Sequence, residues 1–327
     1  MKKKLIAFLL AAVMVLALAA CGSNTNANNN ASETGKKFVV GVCQLVQHEA
    51  LDAATQGFVD TLKAELGEDN VEVLVENASG DPANCTTICN GFVSKNVDLI
   101  MANATPALQA AVAATGDIPI LGTSVTEYGT ALGIEDFNGV VGANVSGTSD
   151  LASLADQAAM LKEWLPDVKS VGILYCSAEA NSAYQVKVVT EELEKAGVKV
   201  STFAFTDSND VASVTQKAVD SCEALYIPTD NTAASNVESI ANIVLEAKIP
   251  VIAGEKGLCS GCGIATLSID YYNLGVTTAK MAVKILKGEA DIAEMAIEND
   301  PNPVKMYNAD ICAQLGITPL EGYEPIA

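Results

Sequence analysis

From Phe38 onward, short apolar runs alternate with longer stretches in which apolar residues recur every three or four positions. The runs at 39–44, 71–76, 97–102 and 118–122 are brief, β-branched and bounded by turn residues, which predicts buried parallel strands. Segments 51–66, 84–95 and 106–115 between them carry helical spacing. The pattern then returns, with strands at 171–175, 198–204, 224–227 and 249–253 and helices at 182–196, 211–221 and 233–247. Matching strand starts differ by 132, 127, 127 and 131 residues, and the fourth strand opens with Ile-Pro both times. Two such β-α series predict an α/β protein of two doubly wound lobes.

Segment 140–144 is expected to carry the chain toward the second lobe, and 148–165 to open that lobe as a long helix. After a strand-like run at 263–269, residues 271–287 form a further helical stretch, with Leu274, Ala279, Met281, Ala282, Ile285 and Leu286 as its apolar positions. A simple tandem would end before it. The chain is therefore expected to recross between lobes and build a multi-strand hinge. The expected boundaries are 38–146 with 271–295 for the N-terminal lobe, and 147–270 with 296–327 for the C-terminal lobe.

The first residues follow a different logic. Lys2, Lys3 and Lys4 precede an apolar run ending in Leu18-Ala19-Ala20-Cys21, the order of a secretory signal with a lipobox. This reads as a lipoprotein signal peptide over 1–20, with Cys21 as the lipidation site. Residues 21–37 hold five asparagines and no large apolar side chain, so they read as a disordered tether. The protein is thus expected outside the cytoplasm, held to the cell membrane by its N-terminal lipid alone. Its formal charge of −21 becomes −24 once the three lysines are removed, which argues against nucleic acid and anionic lipid as partners.

Eight cysteines remain besides Cys21: Cys43, Cys85, Cys89, Cys176, Cys222, Cys259, Cys262 and Cys312. A local Cys259–Cys262 disulfide, a four-thiolate metal site built from the two close pairs, and buried free thiols are the alternatives; the last is the expectation, with no metal. The chain lacks a nucleophile elbow, a Walker A loop, a dinucleotide fingerprint and a His-rich metal motif, and His48 is its only histidine. An enzyme is not expected, nor a cofactor.

Ligands of open parallel α/β sheets lie beyond the carboxyl ends of the strands. That rule selects Gln44, His48, Asn103, Thr105, Pro106, Thr123 and Ser124 in the first half, and Ser177, Glu179, Asn181, Ser182, Thr229, Asp230, Asn231 and Glu255 in the second. The set contains hydroxyls, amides and carboxylates but no lysine or arginine. Thr105 with Pro106 opens a helix whose amides could receive a carboxylate, helped by Thr123 and Ser124; the alternative is that Thr105 is only an N-cap. Asp230 and Glu255 on the other lobe suit an ammonium group, against the alternative that Asp230, like Glu179, caps a helix. His48 is either a stacking or hydrogen-bonding cleft residue or a solvated loop residue.

Several stretches are similar to the tryptophan/tyrosine-type substrate-binding proteins of ABC transporters. They are GVCQLVQHEALDAATQGF at 41–58, NASGDPANC at 77–85, LIMANATPALQAA at 99–111, ILGTSVTEY at 120–128, NVSGTSDL at 144–151, LYCSAEANSAYQV at 174–186, YIPTDNTAASN at 226–236 and GEKGLCSGCGIATLSIDYYNLG at 254–275. The resemblance implies a periplasmic-binding-protein-like, type I fold with two Rossmann-like lobes and three crossovers between them. It also implies an ABC permease and ATPase as partners and an amino acid as the small-molecule ligand, aromatic ones favoured. An aliphatic amino acid, another small solute or a sensory role are the competing readings. Trp164, the single tryptophan, falls in a helix, while Tyr128, Tyr184 and Phe137 lie near candidate loops.

Overall fold

The computed structural model describes residues 37–326; the signal segment, Cys21 and the tether up to residue 36 lie outside them. Two sheets carry the fold. The first contains β1 (Phe38–Gln44), β2 (Val71–Asn77), β3 (Leu99–Asn103), β4 (Ile120–Val125) and β5 (Val145–Ser149). The second contains β6 (Ser170–Cys176), β7 (Lys199–Phe205), β8 (Ala224–Ile227), β9 (Val251–Ala253) and β10 (Ala265–Ser268). Late in the chain β11 (Glu298–Asn299) returns to the first sheet, and β12 (Val304–Tyr307) and β13 (Glu324–Pro325) join the second. The orders are β11-β5-β4-β3-β1-β2 and β13-β12-β10-β9-β8-β6-β7, with β10–β12 the antiparallel pair.

Helices cover both faces of each sheet. The first lobe uses α1 (Glu49–Leu66), α2 (Pro82–Ser94), α3 (Thr105–Ala114) and α4 (Tyr128–Leu132). The second uses α5 (Leu154–Trp164), α6 (Ala180–Lys195), α7 (Val211–Val219), α8 (Asn231–Ser235), α9 (Val237–Glu246) and α10 (Lys256–Cys262). Then α11 (Tyr271–Leu286) goes back to the first lobe and α12 (Ala309–Leu315) to the second. Because both faces are covered, β3 and β4 are buried along their whole length, and Ile100, Ala102 and Ile120 pack on one side while Leu99, Met101 and Leu121 pack on the other.

The chain crosses between lobes three times: after β5, before α11 and between β11 and β12. Two of these crossings lie elsewhere than the spacing predicts. Residues 148–165 are not one helix; β5 runs to Ser149 in the first sheet, and α5 starts at Leu154 behind an Ser153 cap that accepts from the Asp156 amide at 3.2 Å. The sequence Val-Ser-Gly-Thr-Ser has no apolar alternation because its hydroxyls are satisfied inside the protein. Thr148 Oγ1 lies 3.1 Å from Thr123 Oγ1 and 2.8 Å from Thr278 Oγ1 on α11. At the other end, Glu298–Asn299 pairs with β5, whereas the expected boundary placed it in the second lobe. The helix expected over 233–247 is likewise two, α8 and α9, meeting at Asn236.

The recrossing helix is held by a backbone contact. A Cβ on Gly57 of α1 would meet the Tyr272 carbonyl oxygen at 2.1 Å, and one on Gly275 of α11 would meet the Ala54 carbonyl oxygen at 2.0 Å. Only glycine allows that approach. The eight cysteines are free and buried. Cys43, Cys85 and Cys89 share the first lobe's core, whereas Cys259 and Cys262 sit in the second, so the two pairs do not meet.

Gly275→Ala is expected to cost about 1–3 kcal/mol through forced separation of α1 and α11. Gly91→Ala, at a position in α2 with nothing near its would-be Cβ, is expected to gain about 0.5–1 kcal/mol from helix propensity. Denaturant melts of the two variants check both signs.

Candidate ligand-binding cleft

The carboxyl ends of β1, β3, β4 and β5 face those of β6, β8 and β9 across the gap between lobes, and the predicted residues sort into two groups there. The first group is committed to the scaffold. Gln44 donates to the Val46 carbonyl and the Asp52 carboxylate at 2.9 and 2.6 Å and accepts from Thr55 at 2.6 Å, so both ends of its amide hold the start of α1. Thr123 belongs to the hydroxyl cluster with Thr148 and Thr278, and the exposed Ser177 donates to the Phe205 carbonyl at 3.2 Å. The Thr229 hydroxyl reaches the Gly254 carbonyl at 3.4 Å.

Asp230 and Glu255, expected to meet an ammonium group, and Glu179 beside them are also committed, each to the amino end of a helix. Asp230 caps α8 through the Ala233 amide at 2.8 Å, and its other oxygen accepts from the Cys176 amide at 2.6 Å and the Ser182 hydroxyl at 2.7 Å. Glu179 accepts from the Asn181 side chain, from both the amide and side chain of Asn231, and from both the amide and hydroxyl of Thr232. Glu255 caps α10, each oxygen taking one amide, from Gly257 and Leu258, at 2.5 Å. Burial raises the pKa of Asp230 and lifts that of Glu255 to about 7. Asp230 thus caps α8, as its alternative reading has it, whereas Glu179 makes no side-chain bond to its own helix α6 and instead takes the first amides of α8.

The second group is uncommitted. Eight buried side-chain polar atoms among the described residues have no hydrogen-bond partner, and five of them gather at this edge: Asn103 Oδ1, Thr105 Oγ1, Ser124 Oγ, Asp150 Oδ1 and Asn181 Oδ1. Native structures leave few such atoms, so a cluster of five marks a place built to meet something else. Asn103 pairs in register with Thr123, and Val125 with Ser149, so Asn103, Ser124 and Asp150 end three neighbouring strands. Thr105 is not the cap of α3. Ala104 occupies that position at φ +92°, and the Thr105 hydroxyl in the first turn is left over, beside amides that no intrahelical carbonyl can reach. Ser124 is also left-handed, at φ +53°.

Asp150 was not among the predicted residues. It lies at the first crossing, 5% exposed, and Tyr271 at the start of α11 donates to its Oδ2 at 2.9 Å. Burial pushes its pKa up, a cost that Tyr271, Thr126 and its own amide only partly offset. Tyr271 is also tied to Thr229, whose carbonyl accepts from Asn181 at 3.1 Å, so Asp150 and Asn181 are linked across the lobes. The signal that could have found Asp150 is its place one residue beyond a strand end, which was hidden while 148–165 read as helix.

A cavity of about 420 Å³ adjoins this row and is lined from both lobes, by Leu45, Val46, Pro82 and Pro106 on one side and Glu179 and Asn231 on the other. No ring lines it. Tyr128 instead fills the first lobe's core, its hydroxyl on the Thr148 carbonyl at 3.0 Å, and Trp164 packs edge-on against Tyr323.

Residues 39–322 match the family described as ABC transporter substrate binding protein. The chain belongs to that family. Its members are binding proteins, not enzymes. A curated relative, the tyrosine-binding protein of Clostridioides difficile, is 35% identical over 298 residues, covering 88% of this chain and 85% of the relative. Among solved structures, an ABC domain of Streptococcus pneumonia in complex with L-Trp is 32% identical, with TM-score 0.84 over 89% of this chain and 100% of that one. A ligand-free, open substrate-binding protein of Clostridium difficile is 37% identical but reaches only 0.67, over 88% of this chain and 99% of that one. At equal coverage, the overall agreement with the tryptophan complex is thus higher than with the open form, although the sequence identity is lower. More distant sugar- and inositol-binding structures, at 12% and 17% identity, share the type I periplasmic-binding fold.

Asp230→Ala removes a cap and leaves the Cys176 amide and Ser182 hydroxyl without an acceptor. The expected result is a loss of about 2 kcal/mol in stability, with ligand affinity of the folded fraction changed less than twofold. Thermal melts and calorimetry on one preparation check both halves.

Proposed function

We propose that this substrate-binding protein captures an amino acid in the interlobe cleft and delivers it to an ABC permease with its ATPase. One observation carries the reading: the uncommitted atoms divide into donors and acceptors as a zwitterion requires. The hydroxyls of Thr105 and Ser124, with the first-turn amides of α3, suit a carboxylate. Asp150 Oδ1 and Asn181 Oδ1 suit an ammonium group, which would also relieve the buried charge of Asp150. Ligand contacts from both lobes favour the closed state, as capture requires.

The relatives named for tyrosine and crystallised with L-Trp support an aromatic ligand. Its side chain would enter the cavity against Leu45, Val46, Pro82 and Pro106. Because the apolar part of that lining is aliphatic and holds no aromatic ring, an aliphatic amino acid is the second reading. Cys21 would carry the lipid, and residues 21–37 would tether the body outside the membrane. Among the described residues no helix is long and apolar enough to cross a membrane.

Thermal-shift screening of the mature chain against the twenty amino acids is the direct test. A ligand at one hundred times its Kd stabilises by about 2.7 kcal/mol. L-Trp or L-Tyr should bind, whereas tryptamine, without the carboxylate, and indole-3-propionate, without the ammonium, should not. Asp150→Asn should weaken binding about ten- to a hundredfold, the effect of losing a charge-assisted bond. Equal binding of tryptamine and L-Trp, or an unaffected Asp150→Asn, would remove the zwitterion from the reading.

A further inference from the structure

His48 has an extended backbone at the start of α1, φ −163°, and its side chain makes no capping bond there. Its ring instead crosses the cleft: Nε2 lies 3.3 Å from Oδ1 of Asn231, the first residue of α8 in the other lobe. Asn231 is held for this contact. Its Nδ2 donates to Glu179 at 2.6 Å and its backbone amide to the same oxygen at 3.1 Å, which leaves Oδ1 turned to His48 as an acceptor. Nε2 must then carry the proton. Nearby, Lys256 of the second lobe reaches Glu49 of the first at 3.7 Å, a half-exposed pair of small weight.

We propose that His48 and Asn231 form a closure latch, a hydrogen bond made only when the lobes come together, through which His48 sets ligand affinity by the open–closed balance without itself touching the ligand. The proposal rests on the chain binding by closure, and not on the ligand being an amino acid. It reassigns His48 from the ligand-binding set to the rim that shuts over it, with Asn231 as its partner on the cavity wall.

Such a latch senses acid. The charged groups around His48 are Glu49 and Asp52 on its own helix, Lys256 paired to Glu49, Glu179 across the cleft, and Glu238 and Glu255 along the same groove. The carboxylates favour a proton on the ring, but burial in the closed state outweighs them and lowers its pKa. An open His48 titrates near the ordinary value, about 6.5. Protons therefore bind the open form better. Affinity is complete above about pH 6.5 and declines as pH falls through that value, by up to about tenfold for each unit by which closure lowers the pKa.

The test uses the full mature chain with L-Trp and L-Tyr as probes, comparing wild type, His48→Ala and His48→Gln at pH 7.5 and 5.5 by calorimetry and stopped flow. His48→Ala is expected to raise Kd about five- to tenfold, the value of one net hydrogen bond. The same factor should apply to both probes and arise from faster dissociation. His48→Gln, which can still donate to Asn231, should restore most of the affinity and lose the part of the pH response that separates it from wild type. Unequal losses for the two probes would make His48 a ligand contact and overturn the latch, as would a pH response in His48→Gln equal to wild type. If wild type binds neither probe, the amino-acid reading fails separately. Small-angle scattering of the unliganded chain then decides: expansion between pH 7.5 and 5.5 in wild type but not His48→Gln supports the latch, and identical profiles overturn it.

Discussion

The close approach of α1 and α11 at Gly57 and Gly275 is the constraint on which the cleft depends. It lets a helix that follows the second lobe in sequence settle into the first lobe as if it had been made there. Its first residue, Tyr271, is thereby placed beside Asp150, where its hydroxyl holds one carboxylate oxygen and leaves the other uncommitted. The same helix brings Thr278 into the hydroxyl cluster that fixes β4 and β5. Backbone packing far from the cleft thus decides which polar atoms are left facing it.

The two lobes use their acidic groups differently. In the second lobe, Asp230 and Glu255 are consumed by the amino ends of helices five and seven residues long, and Glu179 braces the same end of α8. Helices this short contribute little on their own, so their start sites need fixed acceptors. The result is a rigid rim that donates few free oxygens to the cleft. The uncommitted carboxylate oxygen belongs to Asp150, at the crossing, where it moves little with either lobe.

Much of this was legible in the chain. The eight strands of the repeat and the return of the 271–287 helix follow from apolar spacing and from β-branched runs, which respond directly to burial on both sheet faces. The region 144–151 did not yield to that reading, because a strand whose inward side chains are serine and threonine carries no apolar signal. At the site, strand-end position pointed to Asn103, Thr105, Ser124 and Asn181, whose buried polar atoms have no partner. It could not separate them from Asp230, Glu179 and Glu255, since a carboxylate before a helix has the same local sequence whether it caps that helix or greets a ligand. Only the partner count distinguishes them. Thr105 is the reverse case: Thr-Pro looks like a cap and first turn, yet the strained Ala104 takes the cap position and frees the hydroxyl.

Three crossings join the lobes, and two of them are bonded to each other, the Asp270 amide donating to Asp300 at 3.1 Å. A single connector would leave the lobes to twist, slide and swing independently. Three parallel connectors suppress twisting and sliding and leave one rocking coordinate, like a door on three hinges. The lobes then do not search for their mating surfaces. Every opening returns them along the same arc, so a lateral error at the rim stays small even when the opening angle is wide.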